Sequence, residues 1–563
     1  MKNYPYYESR HIENIKDMLN QSANLFKNKV AYYVENENGY DTITFSQLKS
    51  LVDCLGTALY DLELKNKNIV VIGENRYEWS IAYLATITGN DTVIPLDRQL
   101  PTNELEKCLK RVKVDAIIFS SKLKDTILEI NKEVNVPILI DMDLEKDKDG
   151  ILSFQGLIEK GETLIKSGIN EFINCEIDKE KCSAMLFTSG TSAESKIVML
   201  SHKNIAFNIE NQCKMILIEP TDRFLSVLPL HHAYECTCGF LTPIYRGASV
   251  THCSNLRNIQ KYLKEQKITV MLTVPAILEF MYRKIWDGIE KQGKSKLVKK
   301  MIKITNTLDK CGIHIKRKVF KQILEQLGGN IKLFIAGAAK INSEVAQGYR
   351  DIGILAIQGY GLSECAPIGA VNRDVMYNDD AAGLPLINTQ VKIVDKNDEG
   401  IGEIVIKGNH VMLGYYDNPE ATAETIKDGW LYTGDLGYMD ENNFVYITGR
   451  KKNVIVLDNG KNVYPEEIEV LLNNTKYIKE SMVYGKKIDN SIVLNAQLVL
   501  DKDALDLDYP NKSDEEIKNT IWEDVKKVNQ QLVIYKYIKN IEIRDKDFEK
   551  TTTLKIKRYK EIV

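Results

Sequence analysis

From about residue 69 the chain alternates short, nearly continuous apolar runs with longer segments of helical periodicity. The runs 69–72, 92–96, 116–119, 137–140, 184–187, 224–228, 269–274, 332–336 and 354–357 are rich in β-branched residues and mostly end in a Gly-containing or polar loop. Strands apolar on both faces and separated by helices predict parallel sheets covered on both sides. Ligands of such sheets sit beyond the carboxyl ends of the strands. The loops after Phe187, Leu228, Ala336 and Ile357 are therefore the first candidates for chemistry.

Beyond about Glu403 the strands shorten and tight turns multiply. Near Arg450 a further unit begins, with a strand expected at 454–457, a turn at Asp458-Asn459-Gly460 and a helix opening at Pro465. Proline suits a first helical turn because its missing N–H has no partner there in any case. Ser513 and Glu516 form a capping box, and Ile517, Ile521, Val525, Val528 and Leu532 fall on one face of the helix that follows. These last ~110 residues suffice for a small α+β domain. No internal repeat or low-complexity tract interrupts the pattern.

Composition narrows the function. The 563 residues carry 75 basic and 78 acidic side chains, a net of −3, with 44% apolar and 27% charged. That is globular composition, and the neutral balance excludes a polycationic nucleic-acid coat. The 28 tyrosines are dispersed, not set as a platform for stacking bases. Ten scattered cysteines argue against a disulfide framework and for a reducing compartment. The first twelve residues, MKNYPYYESRHI, lack the apolar core of a signal peptide, and no run reaches the 18 to 20 or so apolar residues of a membrane span. A cytoplasmic protein is expected.

One stretch departs from neutrality. Residues 291–321 contain eleven Lys or Arg and one acid, Asp309, a local charge of +10. Leu297, Met301, Ile304 and Leu308 recur at helical spacing, which predicts a basic amphipathic helix. Such a helix suits an anionic membrane surface, an acidic carrier protein or a polyphosphate; equally, it can be a solvated helix with long lysine stems.

Candidate chemistry begins at Thr188-Ser189-Gly190-Thr191-Ser192, between the apolar run 184–187 and Lys196. Hydroxyls and N–H groups around a glycine at a strand exit can cradle phosphate oxygens, and the lysine adds a mobile charge. The P-loop pattern does not match, and alone such a stretch is more often only a loop. It is not alone. Gln358-Gly359-Tyr360-Gly361-Leu362-Ser363-Glu364 follows another strand and sets a hydroxyl beside a carboxylate suited to Mg²⁺. Tyr432-Thr433-Gly434-Asp435 offers a carboxylate for ribose hydroxyls. Gly449-Arg450-Lys451-Lys452 opens the last unit, and Lys550-Thr551-Thr552-Thr553-Leu554-Lys555 lies near the end of the chain.

This ordered set, running from Thr44-Phe45 to Lys555, resembles the adenylate-forming superfamily of acyl-CoA synthetases, luciferases and peptide-synthetase adenylation domains. Glu74-Asn75-Arg76-Tyr77-Glu78-Trp79, Leu228-Pro229-Leu230-His231-His232-Ala233-Tyr234-Glu235 and the Tyr360-Gly361-Leu362-Ser363-Glu364 form resemble its long-chain fatty acyl-CoA synthetase branch. The resemblance implies an α/β fold: a large N-terminal domain (1–449) of helix-covered, mostly parallel sheets with a distorted β-barrel subdomain, a hinge at 450–452, and a small mobile α+β domain (453–563). It implies fatty acid, ATP and CoA as substrates and Mg²⁺ as cofactor. No GG(D/H)S-type carrier attachment motif follows Lys555, so the acceptor thiol is expected from outside, with acyl-carrier protein as the alternative to CoA.

By position, the resemblance makes Lys555 the lysine that bridges carboxylate and α-phosphate. Thr188, Ser189, Gly190, Thr191, Ser192 and Lys196 would hold the β- and γ-phosphates, Ser363 would touch the α-phosphate, and Glu364 would bind Mg²⁺. Tyr360 and the Gly337-Ala338-Ala339 loop would flank the nucleotide base, Gln358, Gly359 and Gly361 would also belong to the nucleotide site, and Asp435 and Arg450 would hold the ribose. His232 would border the acyl pocket, Lys452 would be the hinge, and Gly460 would leave room for the pantetheine arm. The sequence departs from the family pattern at Ala193, Ser195 and Ile197, where two glycines and a proline are usual, and at Leu554. If those glycines need φ > 0, Ala and Ile would be strained. A nucleotide-binding sensor without chemistry is the competing function. His231, His232, Cys236, Cys238, His252 and Cys253 could suggest a metal site, against which stand the lack of a CxxC pair and the family's use of this region for the acyl pocket.

Overall fold

The computed structural model describes residues 4–188, 196–458, 461–488, 491–510, 512–550 and 556–561. The chain divides into two compact units. The first comprises Met1–Thr188, Lys196–Gln390 and Lys407–Leu431; the second includes Val391–Ile406 and Tyr432–Val563.

All nine apolar runs become strands. In the first unit they build two sheets. One is eight-stranded, with Asn68–Ile72, Thr92–Leu96, Ala116–Phe119, Ile138–Asp141 and Cys182–Phe187 joined in parallel. The other is nine-stranded, with Arg223–Ser226, Val270–Thr273, Leu333–Ala336 and Leu355–Gly361 in parallel at its centre. These strands are buried almost throughout because helices cover both faces, which is why they read as continuous apolar runs and not as alternation. Two apolar cores follow, one around Val70, Ile94, Ile117 and Phe119, the other around Met271, Phe334, Tyr349 and Ala356.

In the second unit Gln390–Val394, Gly402–Lys407, Trp430–Met439 and Val445–Arg450 belong to one small sheet. Further along, Ile478–Ile488, Ser491–Leu500 and Asn540–Arg544 form a three-stranded sheet. The helix Pro465–Asn473 starts at the expected proline. The capping box at Ser513 and Glu516 forms, opening the helix Asp514–Asn529, whose Ile521, Val525 and Val528 enter the core. Compactness places Val391–Ile406 with the C-terminal residues; where a hinge turns is decided by motion and not by packing density.

The helix within 291–321 is Ser295–Lys310, but its apolar row is not the one the spacing suggested. Val298, Met301 and Ile302 pack on the core and Thr305 is buried, whereas Leu297 and Ile304 face outward at 58% and 42% exposure. The correction is geometric: the helix turns its 298–302–305 stripe inward, so Met301 leaves the row that contains Leu297 and Ile304. No helix among the described residues is long and apolar enough to cross a membrane.

Candidate functional site

In the first unit, the strands Cys182–Phe187 and Ile197–Ser201 pair antiparallel and carry Thr188 and Lys196 at the mouth of the loop between them. The Thr188 N–H and hydroxyl both donate to the Lys196 carbonyl, at 2.9 and 3.1 Å. Ser189, Gly190, Thr191, Ser192, Ala193 and Ser195 lie outside the described residues, as does Leu554. Ile197 is an extended, buried strand residue, so the substitution for glycine there brings no left-handed strain.

The Lys196 ammonium lies 4.4 Å from the centroid of the Tyr415 ring. The Tyr415 hydroxyl donates to Glu364 Oε1 at 2.9 Å. One tyrosine thus links the lysine after the Ser/Thr loop to the carboxylate after the strand Leu355–Gly361. Burial and the adjacent Glu364 push the Tyr415 phenol up, so it remains a donor. A half-buried carboxylate held through one oxygen suits a hard cation, which takes oxygen ligands and keeps several waters. No local pattern points to Tyr415, which stands 51 residues from Glu364. Only the strand register, pairing Gly414-Tyr415 with Met199 and Val198, brings it there.

Ser363 and Glu364 sit in a short turn fixed from behind. The Leu362 N–H donates to the Pro367 carbonyl, and the Asn208 amide donates to the Cys365 and Ile368 carbonyls. At Gly361 a Cβ would lie 2.0 Å from the Pro367 oxygen, so only glycine fits. The side chain of Gln358 is spent inside the fold: its oxygen accepts from the Ile341 N–H and its amide donates to the carbonyls of Asp379 and Ala381. Gly359 and Tyr360 continue the same strand. The Gly337-Ala338-Ala339 loop follows the strand Leu333–Ala336, and Ala338 holds φ +71°, a strained value for alanine of the kind that clusters at functional sites.

The two segments that resemble the long-chain branch meet in space. The Asn75 amide donates to the Leu228 carbonyl at 2.6 Å, and its oxygen accepts from the Leu230 N–H at 3.1 Å. This clamp fixes the loop that carries His231 and His232, whose rings lie 4.0 Å apart between centroids. The π-helical turn Glu235–Leu241 follows. Tyr234 donates to the Ile335 carbonyl at 2.9 Å, and a Cβ on Gly337 would press on its ring. A narrow, mainly apolar cavity of about 30 Å³ lies here, bordered by Tyr234, Cys238, Thr242, Leu272, Ile335 and Gly359 among others. His232 is not among its lining residues.

In the second unit, Asp435 and Arg450 are cross-strand partners, joined by an ion pair of 2.9 Å. Thr433 and Glu403 brace this strand: the Asp435 N–H donates to Thr433 Oγ1, and the Gly434 N–H donates to Glu403. Glu403 also pairs with Lys451 at 2.8 Å, one residue before Lys452. Gly460 and Lys555 lie outside the described residues.

Residues 19–416 match the model of the AMP-binding enzyme family, and residues 452–561 match that of the AMP-binding enzyme C-terminal domain. The chain belongs to this adenylate-forming family. The enzyme is 29% identical to long-chain-fatty-acid–CoA ligase 5 of Rattus norvegicus, over 93% of this chain and 83% of that protein. Its fold is similar to that of an anthranilate CoA ligase solved with anthranoyl-AMP, with a TM-score of 0.77 at 18% identity over 99% and 97% of the two chains. An o-succinylbenzoate coenzyme A synthetase from Bacillus subtilis, solved with ATP and a magnesium ion, gives a TM-score of 0.72 at 20% identity over 96% and 98%. ATP-dependent, acyl-adenylate-forming ligase chemistry comes with this membership. Which carboxylate the enzyme activates is decided by its acyl pocket.

Proposed function

We propose that this enzyme converts a long-chain fatty acid, ATP and CoA into acyl-CoA, AMP and pyrophosphate through an acyl-adenylate. The observation that carries the reading is the apolar cavity: Gly359 in its wall belongs to the strand that leads directly into Ser363 and Glu364. A carboxylate head at that turn has an apolar path for its tail. At about 30 Å³ the cavity is far below the ~300 Å³ or more of a filled small-molecule pocket, so the chain enters by side-chain rearrangement. Likeness to long-chain-fatty-acid–CoA ligases supports the same substrate class.

In the first step a carboxylate oxygen attacks the α-phosphorus and the bond to pyrophosphate breaks. Two anions must meet, so fixed cations and donors are the main catalytic resource. Thr188, Ser189, Gly190, Thr191, Ser192 and Lys196 are assigned to the β- and γ-phosphates, Ser363 and Lys555 to the α-phosphate, and Asp435 and Arg450 to the ribose. Gly337, Ala338, Ala339 and Tyr360 take the base, and Gln358, whose side chain is occupied, serves the site by joining the loops on either side. A Mg²⁺ at Glu364 would neutralise phosphate charge. In the second step the thiolate attacks the acyl carbon and AMP leaves. Rotation about Lys452 would withdraw Lys555, needed only for step one, and present Gly460 to the pantetheine arm.

The test is fatty-acid-dependent ATP–pyrophosphate exchange over a panel of carboxylates, followed by thioester detection with CoA and with acyl-carrier protein. Exchange with long chains, lost in Lys555→Ala, and a thioester on CoA are the expected results. A thioester on the carrier alone would replace CoA as the acceptor. No exchange with any acid would leave a nucleotide-binding sensor.

A further inference from the structure

Residues 291–321 carry +10 of charge that the ligase reaction does not use. Part of it is structural. The Arg317 guanidinium donates to the carbonyls of Gly329, Ile331 and Gly353, and Lys316 pairs with Asp309, the one acid of the stretch, at 2.7 Å. The rest is outward. On the helix Ser295–Lys310, Lys296, Lys300 and Lys303 are exposed and lie opposite the stripe Val298, Ile302 and Thr305 that meets the core. Lys291, Lys294, Lys310 and Lys318 are exposed on either side.

Large apolar side chains share this surface. Leu297 and Ile304, two turns apart, flank Lys300 on the outward face. The helix closes on Gly312 at φ +80°, with the Gly312 and Ile313 N–H groups donating to the carbonyls of Asp309 and Leu308. This closure carries Ile313, 49% exposed, back toward the Leu308 end of the helix. A merely solvated helix has no use for three exposed aliphatic residues among its lysines, and an acidic protein surface is matched by the lysines alone. Lysines interleaved with aliphatic tips are what a headgroup–acyl boundary accepts, the ammonium groups meeting lipid phosphates while the tips enter the apolar layer.

We propose that the helix Ser295–Lys310 and the turn through Ile313 form a docking face for an anionic lipid bilayer. The face acts from outside and stands whether or not a fatty acid is the substrate. The test is co-sedimentation of the full chain with vesicles of phosphatidylglycerol and phosphatidylcholine (30:70) against pure phosphatidylcholine, at low salt and at 0.5 M KCl. Binding to the anionic vesicles, weakened by salt, is expected, and almost none to the neutral ones. Each lysine near the surface contributes roughly fivefold, so Lys296→Ala/Lys300→Ala/Lys303→Ala loses about a hundredfold in partitioning. The corresponding triple arginine variant binds like wild type, and Leu297→Ser/Ile304→Ser loses on the order of tenfold. Melting temperature and pyrophosphate exchange stay unchanged in all three variants, since each changed side chain is exposed. Equal binding to neutral vesicles, unchanged binding by the triple alanine variant, or capture of an acidic carrier protein without vesicle binding would each overturn the assignment.

Discussion

The phosphate end and the acyl end proposed for the first unit treat charge in opposite ways. At the phosphate end charge is kept. Lys196 lies over the Tyr415 ring and Glu364 receives the Tyr415 hydroxyl, so both side chains have partners. Along the acyl-side loop charge is removed. His231 is held neutral, its pKa lowered to about 3 by burial and then by Arg98, and Asp97 is too distant at 3.8 Å to hydrogen bond. Glu235 is fully buried, neither of its oxygens makes a hydrogen bond of normal geometry among the described residues although Ser226 is near, and burial raises its pKa to about 8. Polyanions need fixed charge, whereas a hydrocarbon tail needs surroundings in which an ion is too costly to keep. One unit supplies both environments within a single chain segment and the strands beside it.

The sharpest break in this contrast is at Glu364. Glu364→Gln keeps the shape and removes the charge that the phosphate end retains. Adenylate formation in a single turnover should fall by roughly 10²–10³-fold, the usual cost of one electrostatic stabiliser. A loss under threefold would show that the cation site is elsewhere. At the acyl end, Cys238→Phe puts a ring into the cavity lined by Cys238, Leu272 and Ile335. Its kcat/KM for long-chain acids should drop by about 10–100-fold relative to that for short ones, the scale on which apolar pockets discriminate. An unchanged ratio with an unchanged melting temperature would place the tail elsewhere.

Tyr415 couples the two charged groups and gives a milder test. Tyr415→Phe keeps the ring under Lys196 but removes the hydrogen bond to Glu364. A hydrogen bond to a charged group contributes about 1.5 kcal/mol, so adenylation should slow about tenfold, with the dependence on magnesium concentration shifted upward. If rate and magnesium dependence both stay put, Tyr415 is only packing.

Much of this architecture was legible beforehand. Nine strands, the helix at Pro465 and the capping box at Ser513 and Glu516 follow from local patterns that tertiary packing had no reason to override. Asp435 and Arg450 were singled out separately, and register made them a pair. The failures are those of non-local geometry. Tyr415 acquires its role only through strand pairing with Val198. The helix Ser295–Lys310 has two apolar rows, and periodicity cannot say which one the core takes: of the expected row, Met301 packs on the core while Leu297 and Ile304 face outward. Gln358 lies in the right motif, but its side chain is used to hold Ile341 and Ala381, a demand visible only once the loops are folded together.

Glu235 offers the smallest effect on turnover and the most direct measure of the uncharged end. A Cβ on Gly239 would approach its carboxyl to 2.6 Å, so the π-helical turn leaves room for this group and no more. Ser226 lowers its pKa somewhat, but desolvation dominates and holds the folded value near 8, against about 4.5 unfolded. Between these values the folded protein keeps a proton that the unfolded chain releases. The stabilisation is therefore full below about pH 4.5 and is lost as pH rises through about 8. Glu235→Gln cannot ionise and removes this contribution. Other buried groups also titrate, including Asp91, raised to about 7 by burial, and His252, lowered to about 3 by burial, so the useful quantity is the difference between the two proteins. Denaturant unfolding from pH 5 to 8.5 should show wild type losing stability relative to Glu235→Gln, by a few kcal/mol at most. Parallel pH profiles would mean that Glu235 is ionised in the fold and has a partner, and the acyl end would then not be the charge-free region proposed for the tail.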